Sequence, residues 1–314
     1  MRRLVFLLRP EEAITLAFVL PTSYLTIAAT LYAREAGVLT ARHPGGLYRL
    51  AVALVLLAGL FAARRLFPGS ARVALARETL PFLACLLIYT NLHDTIGFVN
   101  PRYVHGFLAA LDAELFGVQP TVWAERFISR GRTELMSFFY VNFFWLAPST
   151  SLVLLARRRF AEFRAATLCV LVCFYIGYAL YVIFPAAPPR LALVYQYTKT
   201  LEGYPQAFSA LSARAFELLP TDSRAAFPSL HAGASLVALL MARRYLRPLF
   251  WLLLPFVLGL WVSTIYLRHH FVVDLFAGWA LAPAAIWAAP RLDAGWARQQ
   301  RALGIEPARG ASRG

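Results

Sequence analysis

Long apolar stretches, separated by short polar segments rich in arginine, recur along almost the whole chain. Each stretch is close to the roughly 20 residues that an α-helix needs to cross the hydrocarbon core of a bilayer. The pattern therefore predicts an all-α protein, a polytopic transmembrane helical bundle of about eight spanning helices. The predicted spans are residues 14–33, 47–67, 79–98, 134–156, 163–184, 229–246, 249–267 and 270–290.

The segment between the third and fourth predicted spans has a different character. It reads VHGFLAALDAELFGVQPTVWAERFIS and contains Gly117 and Pro120. Its amphipathic pattern predicts a position along the membrane interface rather than across the bilayer. The arginine-rich tail after the last span is predicted to be disordered. The predicted regions are 1–130, the N-terminal spans with the interfacial segment; 131–290, a helical core; and 291–314, a cytoplasmic tail.

Composition supports the membrane interpretation. The 314 residues are 60% hydrophobic and 15% charged, whereas about a quarter of the residues in soluble domains are charged. A net charge of +15 would suggest a nucleic-acid partner in a soluble protein. Here the arginines flank the apolar stretches, as membrane topology requires, so membrane lipids are the expected partners. The three cysteines lie inside apolar stretches without a CxxC motif, which gives no support for disulfides or zinc.

The distribution of arginine predicts the orientation in the membrane. Eight spans put both termini on one side, and that side would carry 19 of the 31 basic residues. The positive-inside rule then places the termini in the cytoplasm. It places the loop 186–227, the start of the sixth span and the junction between the last two spans on the outer face. The short loops and many arginines suggest a bacterial inner membrane, with this outer face in the periplasm.

The last span opens with unusual residues for an apolar helix. The sequence YLRHHFVVDLFAGWALA brings Arg268, His269, His270 and Asp274 close together. On a helix, His270 and Asp274 would share a face, and a carboxylate that accepts from one ring nitrogen makes the other a better base or nucleophile. The alternative is a polar cluster at a helix end that reaches the lipid headgroups.

Two further polar spots fall on the same predicted face. In SRAAFPSLHAGASLVALL, Ser229 is predicted to cap a helix whose first turn contains His231, and helix N-termini favour bound phosphate. In YVIFPAAPPRL, Arg190 follows prolines that end the fifth span. Alone, His231 could be structural and Arg190 an ordinary interfacial arginine. Together with His270 and Asp274, they form a set suited to phosphoryl transfer.

These stretches, in this order, resemble the type-2 phosphatidic acid phosphatase superfamily, whose pattern is a Lys/Arg motif, then PSGH, then SRxxxxxHxxxD. This chain has PSLH at 228–231 and STIYLRHHFVVD at 263–274. It departs from the pattern at Thr264 and Ile183, where Arg and Lys are expected. The combination APPR, FPSLHAG and YLRHHFVVDLFAG is more similar to the inositol phosphorylceramide synthase branch, which includes inositolphosphotransferases. The segment LDAELFGVQPTVW also resembles that branch.

The resemblance implies a six-helix catalytic core and a role for each matching residue. His270 would be the nucleophile that forms a phosphohistidine, Asp274 would orient it, and His231 would serve as general acid and then as general base. The scheme needs no metal and no cofactor, because positive side chains neutralise the phosphate. The expected phosphate ligands are Arg190 and Ser229, with Arg268 and Arg224 as candidates to replace the missing Lys and Arg.

Other histidines are given lesser roles. His93 and Asp94, near the outer end of the third span, could contact a substrate headgroup. As adjacent residues they do not share a helix face, so they cannot form an oriented pair. His269 is expected to point away from His270 and to lie at the interface.

Three functions remain open on the sequence alone. The first is a membrane phosphotransferase that moves a phosphorylated headgroup, possibly phosphoinositol, from a lipid donor to an alcohol such as ceramide or diacylglycerol. The second is a lipid phosphate phosphatase that uses water at the same site. The third is a lipid transporter or flippase. Transporter sites tend to lie near the bilayer midplane in repeated halves, whereas these residues fall at helix ends and no repeat is present.

Overall fold

The computed structural model describes residues 2–35, 44–67, 70–201, 209–211 and 224–306. Within these ranges the regular elements are helices, together with one isolated bridge between Ala186 and Ala225. The predicted all-α fold is therefore confirmed. Five helices in the described ranges are long and apolar enough to cross a membrane: Pro10–Tyr32, Arg130–Ala156, Phe160–Ile183, Arg247–Tyr266 and Val272–Ala302. The count of about eight spans remains a prediction.

Thirteen α-helices are named here for the described ranges. They are α1 (Arg2–Val5), α2 (Pro10–Glu35), α3 (Pro44–Leu66), α4 (Ala71–Val99), α5 (His105–Phe116), α6 (Pro120–Trp123), α7 (Arg130–Val141), α8 (Phe143–Ala156), α9 (Phe160–Ile183), α10 (Pro189–Ala192), α11 (Leu230–Tyr245), α12 (Arg247–Tyr266) and α13 (Val272–Ala302). Short 3₁₀ turns cover Ala124–Phe127 and Val194–Gln196.

The chain divides into two compact units. One contains Met1–Val99 and Arg291–Arg309, and the other contains Asn100–Pro290. The interfacial segment, which the sequence analysis grouped with the N-terminal spans, therefore belongs to the second unit.

Two ion pairs in the described part of the first unit join buried or partly buried charges. Arg9 forms an ion pair with Glu78, and Arg77 donates to Glu12, its Nη2 lying 2.7 Å from Oε2. Pairing of this kind is needed because an isolated charge is costly to bury.

The end of α13 also belongs to the first unit, and it corrects the prediction of a disordered tail that begins at residue 291. The helix continues to Ala302. The indole of Trp296 donates to the carbonyl of Leu8 at 2.9 Å, and the amide of Gln300 donates to that of Phe6 at 2.9 Å. These contacts hold residues that composition alone assigned to a solvated tail.

The second unit is built around α11, which packs against α8, α9 and α12. Glycine allows α11 and α13 to approach closely. A Cβ added at Gly278 would lie 2.3 Å from the carbonyl oxygen of Ser229, and one at Gly233 would lie 3.1 Å from the carbonyl oxygen of Gly278. The two backbones therefore meet at a distance that only glycine permits.

The polar spots predicted from sequence are joined in this unit by backbone bonds and by an apolar cluster. The amide of Ala186 donates to the carbonyl of Arg224 at 2.9 Å, and that of Ala226 donates to the carbonyl of Ala186 at 3.0 Å. This bridge links the chain just before α10 to the chain just before α11. The apolar cluster beneath it joins α5, the bridge and the start of α13: Leu108, Ala109, Ala186, Leu193, Ala226, Phe271 and Val273.

Candidate active site

Two imidazoles from distant parts of the second unit meet edge-on, with their ring planes 63° apart. His231 lies in the first turn of α11, and His270 lies in the connection between α12 and α13. The Nδ1 atom of His231 is 3.0 Å from the Nε2 atom of His270. The fold thus brings together two residues that are 39 positions apart in the chain.

Hydrogen bonds define the protonation of this pair. Nδ1 of His270 lies 2.9 Å from the carbonyl oxygen of Ala226. A carbonyl oxygen only accepts, so Nδ1 must carry the proton, and Nε2 of a neutral ring then carries the lone pair. It follows that Nδ1 of His231 donates to Nε2 of His270. Burial lowers the pKa of His270; the bond to Ala226 opposes this, and the charge of Arg190 adds to it, so the neutral ring is favoured.

Asp274 lies beside His270, and a backbone carbonyl also contacts the same imidazole. Its Oδ2 atom is 3.4 Å from Nδ1 of His270 and accepts from the amide of Phe271 at 2.8 Å. The carboxylate is fully buried. The nearer partner of the imidazole is the Ala226 carbonyl, which sequence spacing could not reveal.

A second buried carboxylate, Asp112 of α5, holds the beginning of α13. Its Oδ2 accepts from the amide of Val272 at 2.9 Å, and its Oδ1 accepts from that of Val273 at 3.0 Å. Burial raises the pKa of Asp112, while the two amide bonds oppose the rise. The first amides of a helix have no partner within the helix, and here a neighbouring helix supplies one. No local sequence pattern indicates this role for Asp112, because Val272 is 160 positions away in the chain.

Ser229 is the N-cap of α11, which confirms the predicted cap. Its hydroxyl accepts from the amide of Ala232 at 3.3 Å, and its own amide donates to the carbonyl of Asp274 at 2.9 Å. The residue is fully buried. These bonds tie the start of α11 to the first turn of α13, so the two histidine-bearing segments are held in register.

Arg190 and His269 form a pair in the same cluster. Nη1 of Arg190 lies 2.7 Å from Nδ1 of His269, and the backbone amide of Arg190 donates to the carbonyl of Arg268 at 2.9 Å. The ring of His269 stacks on Tyr140, with centroids 4.3 Å apart.

The expectation that His269 lies at the interface is wrong. Only 9% of the residue is exposed. The reason is the turn between α12 and α13, where Arg268 has a φ of 62°. This left-handed residue breaks the helical spacing on which the expectation depended.

The other two candidate arginines have partners elsewhere. Nη2 of Arg268 lies 2.8 Å from Oε1 of Glu125 in a buried ion pair, and its guanidinium lies 3.8 Å above the ring of Tyr197. Burial alone would raise the pKa of Glu125, but bonds from Lys199 and Thr198 and the charge of Arg268 hold it below its ordinary value.

Arg224 lies 4.9 Å above the ring of Tyr103. The contacts of Arg268 and Arg224 are therefore structural ones, and their phosphate-binding role stays a prediction.

Aromatic side chains flank His231. The ring of Phe143 is 4.3 Å from the imidazole, and that of Tyr140 is 5.0 Å away. Both belong to the aromatic run FFYVNFFWLAP at residues 138–148. The predicted headgroup contacts, His93 and Asp94, lie on α4, and their side chains are outside the described part of the chain.

Comparison with known proteins identifies the family of this chain. The family model described as the PAP2 superfamily matches residues 107–288, more than half of the chain. The matched range contains both imidazoles, Asp274 and Arg190.

Two curated relatives are each similar to about a third of this chain. The chain is 36% identical over 109 residues to the inositol phosphorylceramide synthase catalytic subunit of Saccharomyces cerevisiae, a match that covers 31% of this chain and 26% of that protein. It is 32% identical over 117 residues to the phosphoinositol dihydroceramide synthase of Bacteroides thetaiotaomicron, covering 33% and 37%. The chain thus spans well under half the length of these relatives. No solved structure gives a significant match.

These matches confirm the resemblance stated from the sequence, including its inositol phosphorylceramide synthase branch. They support an enzyme of this superfamily, and the apolar helices support an integral membrane protein.

Proposed function

Because this chain belongs to the PAP2 superfamily, we propose that it transfers a phosphorylated headgroup from a lipid donor to a lipid alcohol through a phosphohistidine. The observation that carries the proposal is the 3.0 Å approach of the His231 and His270 ring nitrogens. A tetrahedral phosphorus group that enters between them meets a lone pair on one side and an N–H donor on the other.

In the first step, Nε2 of His270 attacks phosphorus and the bond from phosphorus to the donor lipid's oxygen breaks. His231, doubly protonated beside the phosphate anion, gives the Nδ1 proton to that oxygen, and the donor leaves as an alcohol. The headgroup phosphate remains on His270. The Ala226 carbonyl and Asp274 support this step, because both stabilise the positive charge that develops on the imidazole.

The second step reverses the first with a different alcohol. His231, now neutral, takes the proton from the acceptor hydroxyl, whose oxygen bonds to phosphorus. The bond from nitrogen to phosphorus breaks, and Nε2 of His270 regains its lone pair. Arg190 stabilises the charge on the non-bridging oxygens in both steps. Its charge lowers the pKa of His270, which supports a position close to the reacting nitrogen.

Two observations favour a lipid alcohol over water as acceptor. Phe143 and Tyr140 lie against His231, and an apolar wall at the general base disfavours ordered water there. The two relatives are named as synthases of inositol phosphorylceramide and of phosphoinositol dihydroceramide. We therefore propose phosphoinositol as the headgroup and a ceramide-like alcohol as the acceptor. The arginine distribution supports an outer-face site with cytoplasmic termini.

The test uses purified protein and phosphatidylinositol labelled at phosphorus, with and without ceramide. A labelled phospholipid that forms only when ceramide is present supports the transferase. Labelled inositol phosphate or free phosphate as the main product, with or without ceramide, supports the hydrolase instead. Acid-labile label retained on the wild-type protein and absent from His270→Ala supports the phosphohistidine, and equal turnover by His270→Ala would refute it.

A further inference from the structure

His269 is a histidine of the site cluster that the proposed reaction does not use. It is nearly fully buried, its ring stacks on Tyr140 at 28° between planes, and its Nδ1 atom lies 2.7 Å from Nη1 of Arg190. Its backbone amide donates to the carbonyl of Thr264 at 2.8 Å. Ring and backbone are therefore both fixed.

The chemistry of the contact identifies the role of each partner. A guanidinium has N–H donors and no acceptor, so Nδ1 of His269 must accept. The imidazole is then neutral, with its proton on Nε2. Arg190 donates through Nη1 in this bond, and the planar fork of a guanidinium has the geometry to bind an oxyanion as well.

Arg190 needs such a partner because of its position. It lies on α10, a helix of four residues that ends at Ala192, and a long side chain on so short an element has many rotamers. Fixing one rotamer would otherwise cost side-chain entropy at the moment of binding. The bond to His269 orders the guanidinium beforehand.

We propose that His269 is a positioning residue that holds the Arg190 guanidinium in the orientation that receives the substrate's phosphodiester. This inference rests on the proposed function, since it assigns the phosphate to Arg190.

Two substitutions separate the acceptor of His269 from its ring. His269→Asn keeps an oxygen acceptor close to the place of Nδ1 and loses the stacked ring, whereas His269→Phe keeps the ring on Tyr140 and loses the acceptor. We expect kcat/KM for the phospholipid donor to fall about 10- to 100-fold in His269→Phe, as for other misplaced catalytic groups. His269→Asn should stay within a few-fold of wild type. The reverse order would overturn the inference.

A double-mutant cycle with Arg190→Gln tests whether His269 acts through Arg190. Adding His269→Phe to Arg190→Gln should lower kcat/KM by less than about three-fold, because the residue to be positioned is already gone. Multiplicative losses would contradict the proposal and indicate a separate structural role. If His269→Phe does not fold, His269→Leu removes the same acceptor with a smaller side chain and is read in the same way.

A second readout distinguishes failure of the proposed function from failure of the positioning role. If wild-type protein transfers no headgroup, thermal stabilisation of the purified protein by inorganic phosphate replaces turnover as the readout. Stabilisation of wild type and His269→Asn, but not of His269→Phe, would still support the positioning role. Equal stabilisation of all three, or of none, would refute it.

Discussion

The most specific structural prediction concerns Asp112, the buried residue that caps α13 from a neighbouring helix. Each of its carboxylate oxygens accepts one backbone hydrogen bond, Oδ2 from the amide of Val272 and Oδ1 from that of Val273. Asp112→Asn keeps the shape of the side chain and replaces one acceptor by an NH₂ donor. That donor would face a backbone N–H, so one of the two bonds must be lost.

The magnitude follows from the burial of the site, since Asp112 is fully buried. A hydrogen bond to a charged acceptor contributes roughly 1.5–3 kcal/mol, and a buried N–H left without a partner costs roughly 1–3 kcal/mol. These terms overlap, so we expect a loss of about 2–4 kcal/mol in the free energy of unfolding. His270 lies two residues before Val272, and a shift of about 1 Å at a reacting group can cost 10²-fold in rate.

The assay compares Asp112→Asn with Glu114→Gln, which makes the same chemical change on an exposed residue of the same helix. We expect Asp112→Asn to have a clearly lower apparent Tm in detergent and a kcat reduced about 10- to 100-fold, on the scale of a misplaced catalytic group. Glu114→Gln should resemble wild type in both. The reasoning fails if the two variants melt and turn over alike, because the capping bonds would then contribute nothing.

Three further predictions concern His231, Gly278 and Glu125. His231→Gln should reduce kcat by about 10²- to 10⁴-fold, the usual contribution of a general acid–base. The melting temperature, measured on the same sample, should stay unchanged. Gly278→Ala should sharply lower the yield of folded protein in size-exclusion chromatography, because its Cβ would lie 2.3 Å from the carbonyl of Ser229; Gly106→Ala, where a Cβ would meet nothing within 4 Å, should not. The folded-state pKa of Glu125 is lowered, so its stabilising contribution is present above the ordinary glutamate pKa and is lost as pH falls through the folded value. Between roughly pH 6 and pH 3, a range that brackets glutamate titration, the melting temperature of wild type should fall more than that of Glu125→Gln, and equal falls would contradict the assignment.

The sequence by itself determined the features that depend on neighbours in the chain. Apolar runs of membrane length gave the all-α fold, and Ser229 followed by His231 predicted a capped helix start, which the structure has. Hydropathy and capping are local, so they can be read without coordinates. The three motifs and their order were enough to identify the superfamily.

Tertiary structure decided how the site residues meet. The turn at Arg268, with its positive φ, breaks the helical spacing before His269, and Nδ1 of His269 lies 2.7 Å from Nη1 of Arg190. The Ala226 carbonyl on His270 and the Asp112 carboxylate on α13 join residues 44 and 160 positions apart. Contacts over such separations depend on how helices pack and on where a turn breaks their periodicity, and no local pattern in the chain encodes either.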